Sequence, residues 1–164
     1  MATHLKNLSE FEPSKLPSSK NMRFAIVVSD WNREITESLL KGAYDTLLMT
    51  GSSKDNIVVE HVPGSFEIPF TARLLAEHMK PDAVICLGCV VQGETRHFDF
   101  ICQSVTHGIS ELNLRYKMPF IFGVLTTKNI EQAMERAGGT YGNKGVEAAV
   151  TAIKMIAMKS KFLD

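Results

Sequence analysis

The stretch Pro81–Phe100, PDAVICLGCVVQGETRHFDF, governs how the rest of the chain is read. Ala83-Val84-Ile85-Cys86-Leu87 is a continuous apolar run, the pattern of a strand buried on both faces. The run passes Gly88 and ends at Val90-Val91. It gives way abruptly to Gln92-Gly93-Glu94-Thr95-Arg96-His97. Apolar residues then recur at Phe98, Ile101, Val105, Ile109 and Leu112, the spacing of a helix with one buried face. A buried strand thus hands a Gly-containing polar loop to a helix start, with His97 in the handover. In open α/β sheets ligands bind outside the carboxyl ends of the strands, so this loop is the candidate site.

Working outward, the same alternation repeats. Arg23 to Ser29 is an apolar β-branched run, the first buried strand. Asp30-Trp31-Asn32 follows as a loop, and Ile35, Leu39, Leu40, Ala43, Leu47 and Leu48 mark a helix ending near Gly51. Ile57–Val62 reads as the second strand and Pro63-Gly64-Ser65 as a turn. A helix spans about Phe66 to His78 and stops before Pro81. After the opening stretch come a strand at Phe120–Leu125, then Thr126-Thr127 leading into a short helix from Ile130 to Ala137. Gly138–Gly145 reads as a flexible loop and Val146 to Met158 as the last helix. Strands alternating with helices predict an α/β fold, a four-stranded parallel sheet covered on both faces. The expected organisation is one domain over 21–164 behind an N-terminal arm over 1–20. The arm carries Pro13, Pro17 and Ser18-Ser19 without an apolar period. It is expected to be extended and to add a strand to a neighbouring subunit.

Composition narrows the function classes. The chain has 164 residues, with 18 Lys plus Arg against 18 Asp plus Glu. That balance argues against nucleic acid or an anionic membrane as partner. No apolar run reaches the roughly 20 residues that span a bilayer. The N-terminal stretch lacks the apolar core of a secretory signal, so a cytoplasmic location is expected. The cysteines are three, Cys86, Cys89 and Cys102, an odd number that suits reduced thiols. Cys86 and Cys89 match C-x-x-C, yet both fall on a buried strand rather than at the helix start that lowers a thiol pKa. They read as packing residues, and no second ligand pair completes a metal site.

Right-handed crossovers bring every strand–helix junction to one sheet edge. Those junctions carry Trp31-Asn32, Ser65-Phe66-Glu67, Gln92 to His97, and Phe122 with Thr126-Thr127. Aromatic rings, a carboxylate, a histidine and hydroxyls suit a planar polar heterocycle. Phosphate suits Glu94-Thr95, where helix N-terminal N–H groups point outward, with Arg136 as counter-charge. Each residue also has a plainer reading: His97 as a cap, Trp31 as core or interface, Glu67 as a favourable helix-start charge, Arg136 as half of a surface ion pair. His4, His61, His78 and His107 lack polar company and read as structural. Neither G-x-G-x-x-G nor a P-loop is present. The residues alone therefore give a small α/β enzyme or binder with a sheet-edge pocket.

Three segments go further. Val62–Pro69 (VPGSFEIP), Gly88–Asp99 (GCVVQGETRHFD) and Arg136–Gly145 (RAGGTYGNKG) resemble the signature segments of the lumazine synthase family, in its order and spacing, over roughly Arg23 to Met158. The resemblance implies a flavodoxin-like three-layer α/β/α sandwich. It implies condensation of 5-amino-6-(D-ribitylamino)uracil with 3,4-dihydroxy-2-butanone 4-phosphate, giving 6,7-dimethyl-8-ribityllumazine, phosphate and water, with no cofactor or metal. Carried over, Trp31 stacks on the pyrimidine and Ser65, Phe66 and Glu67 hold its ribityl chain. Cys89, Val90 and Val91 line the ring, Glu94 and Thr95 form the phosphate turn, and Arg136 holds the phosphate. Lys144 is a weaker contact, and Phe122 closes the pocket from an adjacent subunit. His97 matches the proton-transfer residue, with Asp99 two positions on. The sequence departs from the family at Trp31, where many members have Phe, and at Gln92, where a basic residue is frequent. The Gly138–Gly145 loop has the short form of the family's icosahedral members, where longer loops go with free pentamers. The resemblance therefore implies a homo-oligomer of pentamers closing as a sixty-subunit shell, with riboflavin synthase as a candidate partner. The alternative is a non-catalytic flavin-binding or shell-forming protein of the same fold.

Overall fold

A computed structural model describes residues 9–163. Its sheet is built from β1 (Phe24–Ser29), β2 (Ile57–Val62), β3 (Ala83–Val91) and β4 (Phe120–Thr127) in the order β2-β1-β3-β4, all parallel. The covering helices are α1 (Arg33–Met49), α2 (Ile68–Met79), α3 (His97–Arg115) and α5 (Lys144–Leu163), with a short α4 (Ile130–Met134). Handedness explains their placement. The chain steps one way from β1 to β2, then back across β1 to β3 and onward to β4. Right-handed crossovers therefore set α1 on one face and α2 with α3 on the other. The reversal between β1 and β3 is a topological switch point, where sheets of this kind open a crevice.

Strand alternation divides the core accordingly. Phe24, Ile26 and Val28 of β1 and Ile85, Leu87 and Cys89 of β3 pack with α1 and α5. Ala25 and Val27, with Val84 and Cys86, pack under α2 and α3. Both faces of β1 and β3 are buried, which is why these strands read as unbroken apolar runs. Among the described residues no helix is long and apolar enough to cross a membrane.

Four departures from the sequence reading have local causes. β4 runs two residues further, to Thr127, because Thr126 and Thr127 continue the pairing with Val90 and Val91. Ser65–Glu67 forms a separate 3-10 turn, so α2 starts at Ile68 with Pro69 in its first turn. The segment expected as a flexible loop is instead a hairpin, β5 (Ala137–Gly139) against β6 (Gly142–Asn143). Gly138 (φ 116) and Gly142 (φ 75) take the backbone conformations it needs. Finally, α5 begins at Lys144 because Asn143 caps it: Asn143 Oδ1 accepts from the backbone N of Gly145 (2.8 Å) and Val146 (3.3 Å).

Residues 9–20 of the expected arm lie on their own chain. They hold one 3-10 turn, Pro13–Lys15, and no strand. Ser19 is buried and hydrogen-bonds Leu47 O, Thr50 Oγ1 and Ser52 Oγ. Ser9 Oγ accepts from Asn143 N at 3.0 Å. The remainder of the arm, 1–8, falls outside the described residues.

Asn143 also ties α5 to α1, donating from Nδ2 to Ser38 O at 3.0 Å. Beside it, a methyl group at Gly145 would collide with the Leu39 carbonyl oxygen. Asn143→Ala, which loses the cap and the cross-helix bond together, is expected to cost about 1–2 kcal/mol. Calorimetry should show the unfolding midpoint falling by several degrees. Gly145→Ala should lower it further, since backbone rather than a mobile side chain must move.

Candidate active site

The site is assembled where β1 and β3 end. Beyond β1, Asp30 N donates to Val62 O (2.8 Å) and Trp31 N to Pro63 O (3.2 Å), so the ladder with β2 outlasts the strands. Asn32 then adopts the left-handed conformation, φ 59 and ψ 48, turning the chain sharply into α1. Asparagine tolerates that region where most residues do not. Its Nδ2 donates to Cys89 O at 2.9 Å, bridging the two sides of the switch point. Trp31, just before the turn, is left 72% exposed. Across from it stands the 3-10 turn Ser65–Glu67. Gly64 lets these walls approach: a methyl there would lie 3.1 Å from Glu67 Oε2 and 3.4 Å from Trp31 Cδ1.

Between these walls lies an open cleft of about 630 Å3. Eight of the residues singled out in the sequence line it together: Trp31, Ser65, Phe66, Glu67, Cys89, Val90, Val91 and His97. Their arrangement has a chemical division. Trp31 and Phe66 offer ring faces, Glu67 a carboxylate, the end of β3 an apolar floor, and His97 a titratable nitrogen from the first position of α3. The His97 backbone N donates to Thr95 Oγ1 at 3.4 Å, fixing the start of that helix.

Four predicted residues stand apart from the cleft. Glu94 and Thr95 are exposed in the loop ahead of α3. Phe122 sits mid-strand on the edge strand β4, opposite Cys86, and is 39% exposed. Arg136 lies 4.7 Å over the Tyr141 ring and donates from Nη1 to Gln132 O at 2.9 Å. Lys144 pairs with Glu147. Asp99 pairs with Arg96 at 3.7 Å. His61, read as lacking polar company, faces Asp30 at 3.2 Å and Glu37 at 4.0 Å. Asn32, Gly64 and Ile101 also line the cleft. Of these, Asn32 was grouped with Trp31 at its junction in the sequence, whereas Gly64 and Ile101 were not read as site residues.

A doubly wound sheet with an aromatic-walled cleft at its switch point places the protein among α/β proteins that take a flat polar ligand at the strand ends. Known proteins narrow that class. The family described as 6,7-dimethyl-8-ribityllumazine synthase matches residues 21–160. A protein of that name from Parabacteroides distasonis is 58% identical over 156 residues, covering 95% of this chain and 98% of the relative. Another from Porphyromonas gingivalis is 55% identical over 159 residues, covering 97% and 99%. One from Cytophaga hutchinsonii is 55% identical over 157 residues, covering 96% and 98%. The chain belongs to the 6,7-dimethyl-8-ribityllumazine synthase family, and its four-stranded sandwich is consistent with that family's fold.

The cysteines of the cleft's strand are held neutral. Cys86 and Cys89 are three apart on β3, so they point to opposite faces, into different halves of the core. A shared disulfide or metal is ruled out by that geometry. Burial pushes the Cys86 thiol from 9.0 up to about 12 and the Cys89 thiol up to about 11. A thiol whose folded pKa exceeds its unfolded value contributes stability that is complete below pH 9. That contribution fades as pH climbs through 11 and 12. Urea unfolding between pH 8 and 11 should therefore show falling midpoints. Cys86→Val should flatten the decline, whereas an unchanged slope would mean the thiol is not the source.

Proposed function

We propose that the protein condenses 5-amino-6-(D-ribitylamino)uracil with 3,4-dihydroxy-2-butanone 4-phosphate to give 6,7-dimethyl-8-ribityllumazine, phosphate and water, a step of riboflavin biosynthesis. The observation that carries this reading is the convergence of Trp31, the Ser65–Glu67 turn, the end of β3 and His97 on one cleft. Family membership supports it.

In this reading the pyrimidine stacks on Trp31, its ribityl chain runs along Ser65, Phe66 and Glu67, and its ring lies against Cys89, Val90 and Val91. The phosphate of the second substrate sits at Glu94-Thr95, against the N-terminal N–H groups of α3, with Arg136 as its cation. The pyrimidine's amino nitrogen bonds to the ketone carbon of the butanone. The proton it loses passes to the His97 imidazole, which returns a proton as water or phosphate departs. Loss of the first water leaves an imine, and elimination of phosphate followed by tautomerisation leaves a new carbonyl. The ribityl-bearing nitrogen adds to that carbonyl and expels a second water to close the lumazine ring. Much of the acceleration comes from holding amine and ketone in contact.

The assembly belongs to the same proposal: a cytoplasmic homo-oligomer of pentamers, closing as a sixty-subunit shell, with riboflavin synthase as partner. Supporting it, Phe122 lies exposed on an edge strand away from its own chain's cleft, where an adjacent subunit could receive it. Phe70, Phe100 and Leu114, on α2 and α3, are exposed as well. Apolar surface of this kind marks contact sites.

Purified protein with both substrates should form the absorbing lumazine faster than buffer does. His97→Ala should lower kcat roughly a hundredfold while binding of both substrates changes little. Trp31→Ala should raise KM for the pyrimidine roughly tenfold, and Trp31→Phe should restore it. A protein that copurifies with flavin and gives no acceleration would be a flavin binder instead, and the synthase reading would fall.

A further inference from the structure

We infer that Ser29 is a positioning residue for this site: enclosed beneath the cleft, its hydroxyl orients the Ser65 hydroxyl toward the polyol chain of the pyrimidine substrate. The inference rests on the reading of Ser65 given above.

Ser29 is the last residue of β1 and is 0% exposed. By strand alternation it follows Ala25 and Val27 onto the face under α2 and α3, where an apolar residue would continue the core. The β1–β3 register sets Val28 beside Leu87, and therefore brings Ser29 next to Gly88. Gly88 faces the 3-10 turn that carries Ser65. A methyl at Gly88 would lie 2.7 Å from Ser65 Oγ and 3.3 Å from Ser29 Oγ, with Ile68 Cδ1 at 3.1 Å. The glycine thus leaves room for two hydroxyls to converge from adjacent elements.

Neither hydroxyl has a hydrogen-bond partner among the described residues, although Ser65 is only 5% exposed. A buried hydroxyl without a partner destabilises a fold. Two of them side by side under a cleft mark a place where stability has yielded to recognition. The pair divides the task by location. Ser65 lines the cleft and can meet a ligand, whereas Ser29 does not. A serine hydroxyl both donates and accepts. In the substrate complex Ser29 donates to Ser65 Oγ through one shared water, since the chain by itself makes no such bond, and the Ser65 proton is free to donate outward to a substrate hydroxyl. The two bonds then reinforce each other.

The test compares Ser29→Ala, Ser65→Ala and the double variant on two pyrimidines, one carrying the ribityl chain and one carrying an alkyl chain without hydroxyls. Ser29→Ala should keep or raise the unfolding midpoint, because it removes a buried unpaired group. It should raise KM for the ribityl substrate roughly three- to tenfold, leaving kcat, the KM for butanone phosphate and the KM for the alkyl analogue unchanged. The double variant should be no worse than Ser65→Ala alone, since both act through one contact. Ser29→Ala with a lowered midpoint and unchanged KM would make Ser29 purely structural and overturn the inference. So would an equal KM rise on both pyrimidines. If Ser65→Ala itself leaves the ribityl KM unchanged, the reading of Ser65 fails first. If only Ser65→Ala raises it, that reading stands and the positioning role of Ser29 falls.

Discussion

The hydrogen bond from Asn32 Nδ2 to Cys89 O, 2.9 Å long, joins the two strands that diverge at the switch point. Much of the site depends on it. It crosses from the turn after β1 to the last part of β3, where the crevice opens and strand pairing can no longer hold the edges together. The left-handed backbone of Asn32 aims that side chain inward and, in the same step, leaves Trp31 pointing outward. One residue therefore fixes the aromatic wall and the β3 floor relative to each other. A residue without the amide would lose the bridge, and a β-branched one would also resist the backbone conformation.

The fold was readable because its strands are buried on both faces and its helices on one, and these patterns leave little ambiguity. Ile57–Val62 was recovered to the residue, and the handover at His97 coincides with the first residue of α3. What could not be read depends on partners distant in sequence. The extra two residues of β4 exist only because Val90 and Val91 offer edges to pair with. The glycine-rich segment near the C-terminus looked flexible, yet Asn143 anchors it to Ser38, Ser9 and the start of α5. The cleft shows the same division. Trp31, Asn32, Ser65, Phe66, Glu67 and His97, grouped by junction, do meet there, joined by Cys89, Val90 and Val91 from the family resemblance. Gly64 acts through a close approach that composition does not announce.

Arg136 and Phe122 mark the limit of a single chain. β4 is the sheet edge on the far side of β3 from the switch point and the hairpin after α4 packs on α1, and neither residue lines the cleft of its own chain. Arg136 meanwhile rests on Tyr141 and donates to Gln132 O, contacts within its own chain. The cleft as one chain builds it has the rings, carboxylate and hydroxyl that the proposed heterocycle and its chain would need. The proposed phosphate end has only the start of α3 and two exposed residues. A complete two-substrate site is thus more consistent with the proposed oligomer than with an isolated subunit.

Stability and recognition are set against each other in this layout. The α1–α5 side of the sheet is sealed by backbone contact at Gly145 and by the satisfied amide of Asn143. The α2–α3 side, which carries the Ser65–Glu67 turn and the start of α3, keeps two buried hydroxyls unpaired. On the α1–α5 side the one unpaired buried side-chain atom among the described residues is Glu147 Oε1, whose neighbour Oε2 pairs with Lys144. The two unpaired hydroxyls lie together beside Gly88 at the cleft. A binding cleft formed by rigid strand ends needs few moving parts, but it needs polar groups that are not already committed to the fold. Trp31 exposed at the rim and Ser65 buried at the wall meet that need in opposite ways. The ring presents apolar surface that water solvates poorly, and the hydroxyl lacks a partner that the protein does not supply. The proposed occupant, a flat heterocycle bearing a hydroxylated chain, would relieve both.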